Sequence, residues 1–379
     1  MELAVDEGAL AAIVARASAS ARVAVDVESN GLHAYRPSLC TAQLAWGTGA
    51  ATEIAIVDTL ATPATPLAPL FTGGVIAVLH DLTFDVRLLR EHGVALGAVR
   101  DTSVAARLLG KPAQGLASLL AGELGITVDK ALQHHDWAAR PLTDTQLAYL
   151  VADVRHLLEL DDALAQQVDV AGITAEVAEE TRYKLACALV ETDLGPTYLR
   201  VRGIEKLAPE GQAIVRRAFL VREHIASAVN VPAFHVASPD LLLDLAARRP
   251  RTASEVRALR SARGRASRHA DEWAGAVDAG LRDGALPPED AARLVPAPVD
   301  RAEVTLRRSR EERLRGWRRA EAVARGVHEQ AVLPGHCLTE LARAAPVDRG
   351  ALAAVPGFGE ARVERYGVVL LSILAALPP

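Results

Sequence analysis

Along Arg22-Val-Ala-Val-Asp-Val-Glu28 apolar and polar positions alternate. Val23, Val25 and Val27 fall on one face and Ala24, Asp26 and Glu28 on the other, as a half-buried strand requires. A valine-rich run of this length favours extended backbone. Upstream, Leu3, Leu10, Ile13 and Val14 recur at helical spacing and predict a helix over residues 3–20 that feeds this strand. Two further strands are expected at Leu39–Trp46 and Glu53–Val57, a meander that opens an α/β sheet. Proline and glycine punctuate 62–74, and Val75–Leu79 is then wholly apolar, the pattern of a strand buried on both faces. Helical spacing returns in His80–Leu89 through Leu82, Val86 and Leu89. Residues 99–132 read as two helices around a loop at Gly110–Gly115. After the loop Asp136–Leu142, Thr143 and Gln146 form a capping box. The helix they open has the stripe Leu147, Leu150, Val151, Val154, Leu157 and Leu158.

The second half repeats itself. Arg222–Leu259 aligns without gaps on Arg318–Val355, matching Ala226 to Ala322, Val231 to Val327, Leu242 to Leu338, Leu245 to Leu341 and Pro250 to Pro346. Such a period predicts two copies of one small helical unit. Each copy reads as a helix, a loop with Val-Pro or Leu-Pro, a second helix (Asp240–Arg248; His336–Ala344), a proline and another helix. Gly280–Pro298, rich in proline, aspartate and alanine, reads as the linker between them.

A length of 379 residues exceeds one ordinary core and predicts two or three domains. No apolar run has membrane-spanning length, and the N-terminus is acidic where a secretory signal would be basic. Cys40, Cys187 and Cys337 are far apart, which indicates neither a disulfide framework nor a zinc site and fits a reducing cytoplasm. Neither a membrane nor an obligate protein partner is expected. Charge changes the picture more. Residues 1–180 hold 11 Lys+Arg against 23 Asp+Glu (−12), and the rest hold 31 against 24 (+7). An acidic half suggests metal binding and a basic half contact with a polyanion. The basic half contains two arginine runs, at Arg257, Arg260, Arg263, Arg265 and Arg268, and at Arg307, Arg308, Arg310, Arg313, Arg315, Arg318 and Arg319.

Candidate chemistry starts on the strand. Asp26 and Glu28 sit side by side and repel each other unless a cation lies between them or one keeps a proton. Oxygen ligands of this kind suit Mg²⁺ or Mn²⁺. An acid just past the end of the buried strand Val75–Leu79 lies where α/β sheets place ligands. Asp81 and Asp85 are one helical turn apart, so the pattern leaves both open. Tyr149 and Asp153 are four apart on the capped helix and share a face.

Taken in order, Asp26-x-Glu28, His80-x-x-x-x-Asp85, Asp136-Trp-x-x-Arg-Pro-Leu142 and Tyr149-x-x-x-Asp153 resemble the DEDD superfamily of 3′–5′ exonucleases. The resemblance is to the branch with tyrosine in its last motif, and within it to the ribonuclease D family. It implies an α/β ribonuclease-H-like exonuclease domain, a mixed sheet flanked by helices. It also selects Asp85 over Asp81, gives Asp26, Glu28, Asp85 and Asp153 two divalent ions, and makes Tyr149 the residue that positions the attacking water. Lys130, Asp136, Trp137 and Arg140 match the segment before the last motif, with Trp137 and Arg140 expected to be structural. His80 is expected to be a strand-end hydrogen-bonding residue rather than a ligand.

The two copies resemble HRDC domains. The second keeps a Trp-Arg pair at Trp317-Arg318, whereas the first has Val221-Arg222. The expected division is an exonuclease domain over 1–190, then all-α HRDC-like domains over 200–278 and 300–379. The nuclease half is expected to be self-contained. Arg307, Arg308, Arg315, Arg318 and Arg319 are the candidate nucleic-acid contacts. Val355-Pro-Gly-Phe-Gly359 reads equally as a phosphate-binding hairpin and as a tight turn. The implied activity is 3′–5′ exoribonuclease trimming of RNA 3′ ends, on tRNA precursors or other structured RNA. Hydrolysis of single-stranded DNA and a non-catalytic nucleic-acid-binding role are the alternatives.

Overall fold

Val23, Val25 and Val27 are buried on one face of β2 (Arg22–Ser29), and everything around that strand follows from how it is paired. In this computed structural model, which describes residues 1–129, 131–190, 195–295 and 300–376, β2 lies inside a six-stranded sheet. Its antiparallel neighbour is β3 (Leu39–Trp46), which pairs in turn with β4 (Glu53–Asp58), and β1 (Glu2–Ala4) adds in parallel at the far edge. On its other side β2 runs parallel to β5 (Ile76–Leu79), and β5 to β6 (Val99–Asp101). The sheet is therefore mixed, with order β1-β4-β3-β2-β5-β6.

Both faces are covered. The valine face of β2 packs against Leu10 and Ile13 of the helix Glu7–Ala17 and Leu88 and Leu89 of the helix Thr83–Glu91. The opposite face, with Ala24, Ile56 and Val78, packs against the helices Thr102–Leu108, Asp144–Arg155 and Leu157–Val170. This is the expected mixed sheet flanked by helices.

Two strands differ from the sequence reading. The span 3–20 was expected to be all helix, yet Glu2–Ala4 is β1, paired with Ala55–Val57 of β4. Within 99–132, expected to hold only helices and a loop, Val99–Asp101 is β6. Both strands are three residues long, too short to show alternation, and both lie at sheet edges.

The chain forms two units. The first joins residues 1–29 and 39–190 to residues 300–376, the second helical copy. Ala331 of that copy is fully buried in the same cluster as Val104, Leu108 and Leu160, so the nuclease half is not self-contained as expected. The second unit combines residues 195–295 with Asn30–Ser38. Its core includes Trp273, Leu241, Leu245 and Phe219, and Tyr35 packs on it while its N–H donates to Asn230 Oδ1 at 3.3 Å.

The repeat is visible in the backbone. Helices start at Ala233, Pro239 and Ala253 in the first copy and at Glu329, Gly335 and Arg349 in the second, a constant offset of 96. Left-handed residues fall at matching places, Asn230 with Gly326 and Arg249 with Ala345. Much of the expected linker belongs to the first copy instead. Pro288–Leu294 is a helix, Leu286 and Asp290 are buried, and the Tyr198 hydroxyl donates to Asp290; residues 296–298 lie outside the described residues. Among the described residues no helix is long and apolar enough to cross a membrane.

Candidate active site

The polar face of β2 opens into a cavity of about 720 Å³. Asp26 and Glu28 face it because period-two geometry puts them on the side opposite the valines. From the helix Asp144–Arg155, Asp153 and Tyr149 reach the same space, one turn apart on one face. That helix is fixed at its start as the sequence predicts: Thr143 Oγ1 accepts from Gln146 N–H, and Gln146 Oε1 accepts from Thr143 N–H. Carboxylate oxygens of Asp26, Glu28 and Asp153 all lie within 4.8 Å of one another.

Asp85 is near enough for its charge to raise the proton affinity of Asp26. It occupies the first turn of the helix Thr83–Glu91, immediately beyond β5, and is buried. Asp81, the other candidate, has its side chain 70% exposed and pairs with Lys184 Nζ at 2.7 Å. The difference comes from the turn. Asp81 is in the left-handed region (φ 64°), and Asp101 holds that turn by accepting from the N–H groups of Asp81 (3.0 Å) and Leu82 (3.1 Å). Asp101 also accepts from Lys184 Nζ at 2.7 Å, which depresses its proton affinity despite burial. Asp101 and Lys184 hold this turn together, and the sequence reading singled out neither. The only local signal was Asp101 as N-cap of the helix Thr102–Leu108, and that span was expected to contain no strand end.

Crowded acids hold their protons. Burial, then the charge of Asp85, then that of Asp153 raise Asp26 well above the usual carboxylate range. Burial and the charge of Glu28 do the same to Asp85. Glu28 is pushed up to about 9 by burial, then by Asp26 and Asp153. A site that protonates this readily without cations is one that divalent ions would relieve, and hard carboxylate donors fit Mg²⁺ or Mn²⁺. The Tyr149 hydroxyl is also raised, by burial and then Asp153, so it stays protonated at neutral pH.

Several neighbours are structural. Trp137 is buried with its ring 5.5 Å from that of Tyr149. Arg140 grips Asp58 through two bonds (2.6 and 2.8 Å) and also donates to the carbonyls of Cys40 and Trp137, all within the fold. His80 lines the cavity, but its Nδ1 is 2.9 Å from Thr102 Oγ1, and burial lowers the proton affinity of its ring. Lys130 lies outside the described residues.

The candidate arginines occupy the helix Arg301–Arg325, away from the cavity lining. Arg307 (3.7 Å) and Arg315 (2.9 Å) flank Glu311, Arg319 approaches Glu329, and Arg308 is exposed. Arg318 is turned inward, pairing with Glu329 at 2.8 Å and donating to the Leu333 carbonyl. At the hairpin before the helix Glu360–Ala375, the anion present is the protein's own. Glu179 accepts from Ala361 N–H at 2.9 Å and lies 3.4 Å from Arg362.

Residues 1–169 match the 3′–5′ exonuclease family, and residues 211–277 and 308–374 each match the HRDC domain. The ribonuclease D of Gluconacetobacter diazotrophicus is 32% identical over 303 residues, 76% of this chain and 75% of that protein. That of Granulibacter bethesdensis is also 32% identical, over 75% of this chain and 74% of its own length. The fold matches that of Escherichia coli RNase D with a TM-score of 0.71 at 21% identity, covering 100% of this chain and 99% of that one. With the carboxylate cluster on β2, the paired HRDC copies and relatives matched across three quarters of their length, the chain belongs to the ribonuclease D family of 3′–5′ exonucleases.

Proposed function

We propose that this 3′–5′ exoribonuclease trims RNA 3′ ends, on tRNA precursors or other structured RNA, using two divalent ions shared by Asp26, Glu28, Asp85 and Asp153. The observation that carries this reading is the convergence of three carboxylates within 4.8 Å, with a fourth buried beside them, in a cavity open to substrate. Ions bound there would supply Lewis acidity to the phosphoryl oxygens and an activated water. The four acids balance the charge of two such ions and orient them. Tyr149, protonated at neutral pH, holds the attacking water by hydrogen bonding and does not serve as a strong base.

In this reading residues 1–190 form the nuclease domain and 200–278 and 300–379 the two HRDC-like domains, the first extended by the helix Pro288–Leu294 packed on its core, working in the cytoplasm. The outward-facing Arg307, Arg308, Arg315 and Arg319 meet RNA phosphates beyond the cavity. Arg318 contributes more to the fold than to RNA. The experiment is digestion of matched 3′-tailed RNA and DNA oligonucleotides with Mg²⁺, with Mn²⁺ and with chelator. Stepwise loss of 3′ nucleotides from RNA with either metal, and none with chelator, is expected. Cleavage of DNA alone would overturn the substrate, and activity in chelator would overturn the ions.

A further inference from the structure

A cavity walled by carboxylates must also hold a polyanion, so its cations matter. Among the described residues lining it, two carry a permanent positive charge, Lys184 and Arg107. They are not equivalent. The Lys184 ammonium has three protons to donate, and three acceptors surround it: Asp81 Oδ1 and Asp101 Oδ2 at 2.7 Å each and Ser103 Oγ at 3.1 Å. It is consumed by the turn that places Asp85. Arg107 makes one hydrogen bond among the described residues, from Nη2 to Glu180 Oε1 at 2.6 Å, and its side chain is 37% exposed. A guanidinium has five donors in a planar fork that matches a phosphate edge. Glu180 is buried at 2% exposure and holds one corner of the fork, while Arg107 itself lines the cavity. Ser103 and Arg107 are one turn apart on the helix Thr102–Leu108, which puts both on the cavity side.

We propose that Arg107 is a substrate-binding residue whose open guanidinium edge takes an RNA backbone phosphate, with Glu180 as the buried residue that aims it. The proposal rests on the nuclease reading, which also fixes which phosphate this is. In an enzyme that removes the 3′-terminal nucleotide, the scissile phosphate goes to the carboxylate cluster, and every other phosphate of the strand lies on its 5′ side. Arg107 therefore reads the strand upstream of the cut. The second helical copy touches the support of this contact, because His336 Nε2 lies 3.7 Å from Glu180 Oε2.

The test is a coupling experiment on the full-length protein. RNA oligonucleotides carrying one methylphosphonate linkage, moved stepwise along the 5′ side of the scissile bond, are assayed for hydrolysis with Mg²⁺ and for equilibrium binding with Ca²⁺. The wild type should lose about 10- to 100-fold in kcat/KM at one position, the cost of a charge-assisted hydrogen bond. Arg107→Ala should show that loss on unmodified RNA and little further loss when the same linkage is neutralised. Its log K against log[salt] slope should be shallower by about one. Arg107→Lys, which keeps the charge without the fork, should recover part of the loss, and Glu180→Gln should raise KM more than it lowers kcat.

If Arg107 only balances Glu180, Arg107→Ala lowers the melting temperature while methylphosphonate losses stay fully additive, and the proposal falls. Should Arg107→Ala fail to fold, the same comparison made with Arg107→Lys decides. A wild type that binds RNA with the expected coupling but does not hydrolyse it would sink the nuclease reading and leave the phosphate contact standing.

Discussion

Glu28 measures how far the site is from comfort without cations. Its proton is retained up to about 9 because burial and the charges of Asp26 and Asp153 disfavour the carboxylate. The unfolded chain would release that proton near 4.5, the ordinary value of a glutamate. Between those values the folded protein binds more protons than the unfolded one, so the stability of the ion-free protein falls as pH rises through the window. Glu28→Gln should therefore raise the melting temperature in chelator at pH 8 by about 2–4 °C and flatten its decline with pH, while abolishing metal-dependent hydrolysis. No stabilisation at pH 8 would mean that the acids are not crowded. Tyr149→Phe removes only a hydroxyl and leaves the ring against Trp137, so kcat should fall far more than RNA affinity. Equal reductions in both would remove its water-positioning role. That Asp26 and Glu28 share one face, and Tyr149 and Asp153 another, was legible because two-residue strand spacing and four-residue helix spacing state which side chains lie together. Asp81 against Asp85 was not legible from spacing. What separates them is a left-handed turn held by Asp101 and Lys184, partners 20 and about 100 residues away in sequence.

The helix Thr174–Leu189 shows what periodicity misses at the scale of an element. Its Glu176, Glu179 and Glu180 are all buried, although acids at that spacing ordinarily mark a solvated face. Their partners lie far along the chain. Glu176 pairs with Arg365 and, at 3.7 Å, with Arg325; Glu179 meets Arg362 and the start of the helix Glu360–Ala375; Glu180 holds Arg107. Of the two readings of the Val355–Gly359 hairpin, the structure shows an anion site already filled by Glu179. Because Arg362 is fully buried, Glu179→Ala would remove its ion-pair partner and leave its charge to backbone carbonyls, and should cost about 3–5 kcal/mol in denaturant unfolding. A cost under about 1 kcal/mol would mean the pair is incidental. Beside it, His336 stacks on Tyr183 with rings 4.1 Å apart. Burial, then Arg107 and Arg362, lower His336 to about 4. Here the unfolded state binds the extra proton, so stability present above pH 6.5 is lost as pH falls toward 4. His336→Phe keeps the stack without the titration and should lose less melting temperature between pH 7 and 4.5 than the wild type. A parallel decline would exclude His336 as a source of the acid sensitivity.

At the scale of the whole molecule, the −12 and +7 halves suggested a division of labour between cutting and capture. The 96-residue repeat made two helical copies legible, but nothing in their sequence said that the second would share a core with the nuclease. That sharing runs through Ala331 and through acid–arginine pairs whose members are more than 140 residues apart. It also decides how electrostatic capture can be tested. Cutting the chain near residue 200 would strand Glu176 and Glu179 without their arginines, so weaker RNA binding could not be told from failed folding. Neutralising the surface separates the two. Arg307, Arg308, Arg315 and Arg319 are exposed on the helix Arg301–Arg325, and exposed ion pairs such as Arg315–Glu311 contribute about 1 kcal/mol or less. Changing all four to glutamine in the full chain should leave the melting temperature within a few degrees of wild type. If they meet phosphates, the slope of log K against log[salt] for a structured RNA should become shallower by about 0.7–0.9 for each phosphate no longer neutralised. Hydrolysis of a short oligonucleotide that fills only the cavity should be unchanged, since the helix is not part of its lining. An unchanged salt slope would make these arginines a solvated face, and would leave electrostatic capture to the first helical copy or to Arg107 inside the cavity.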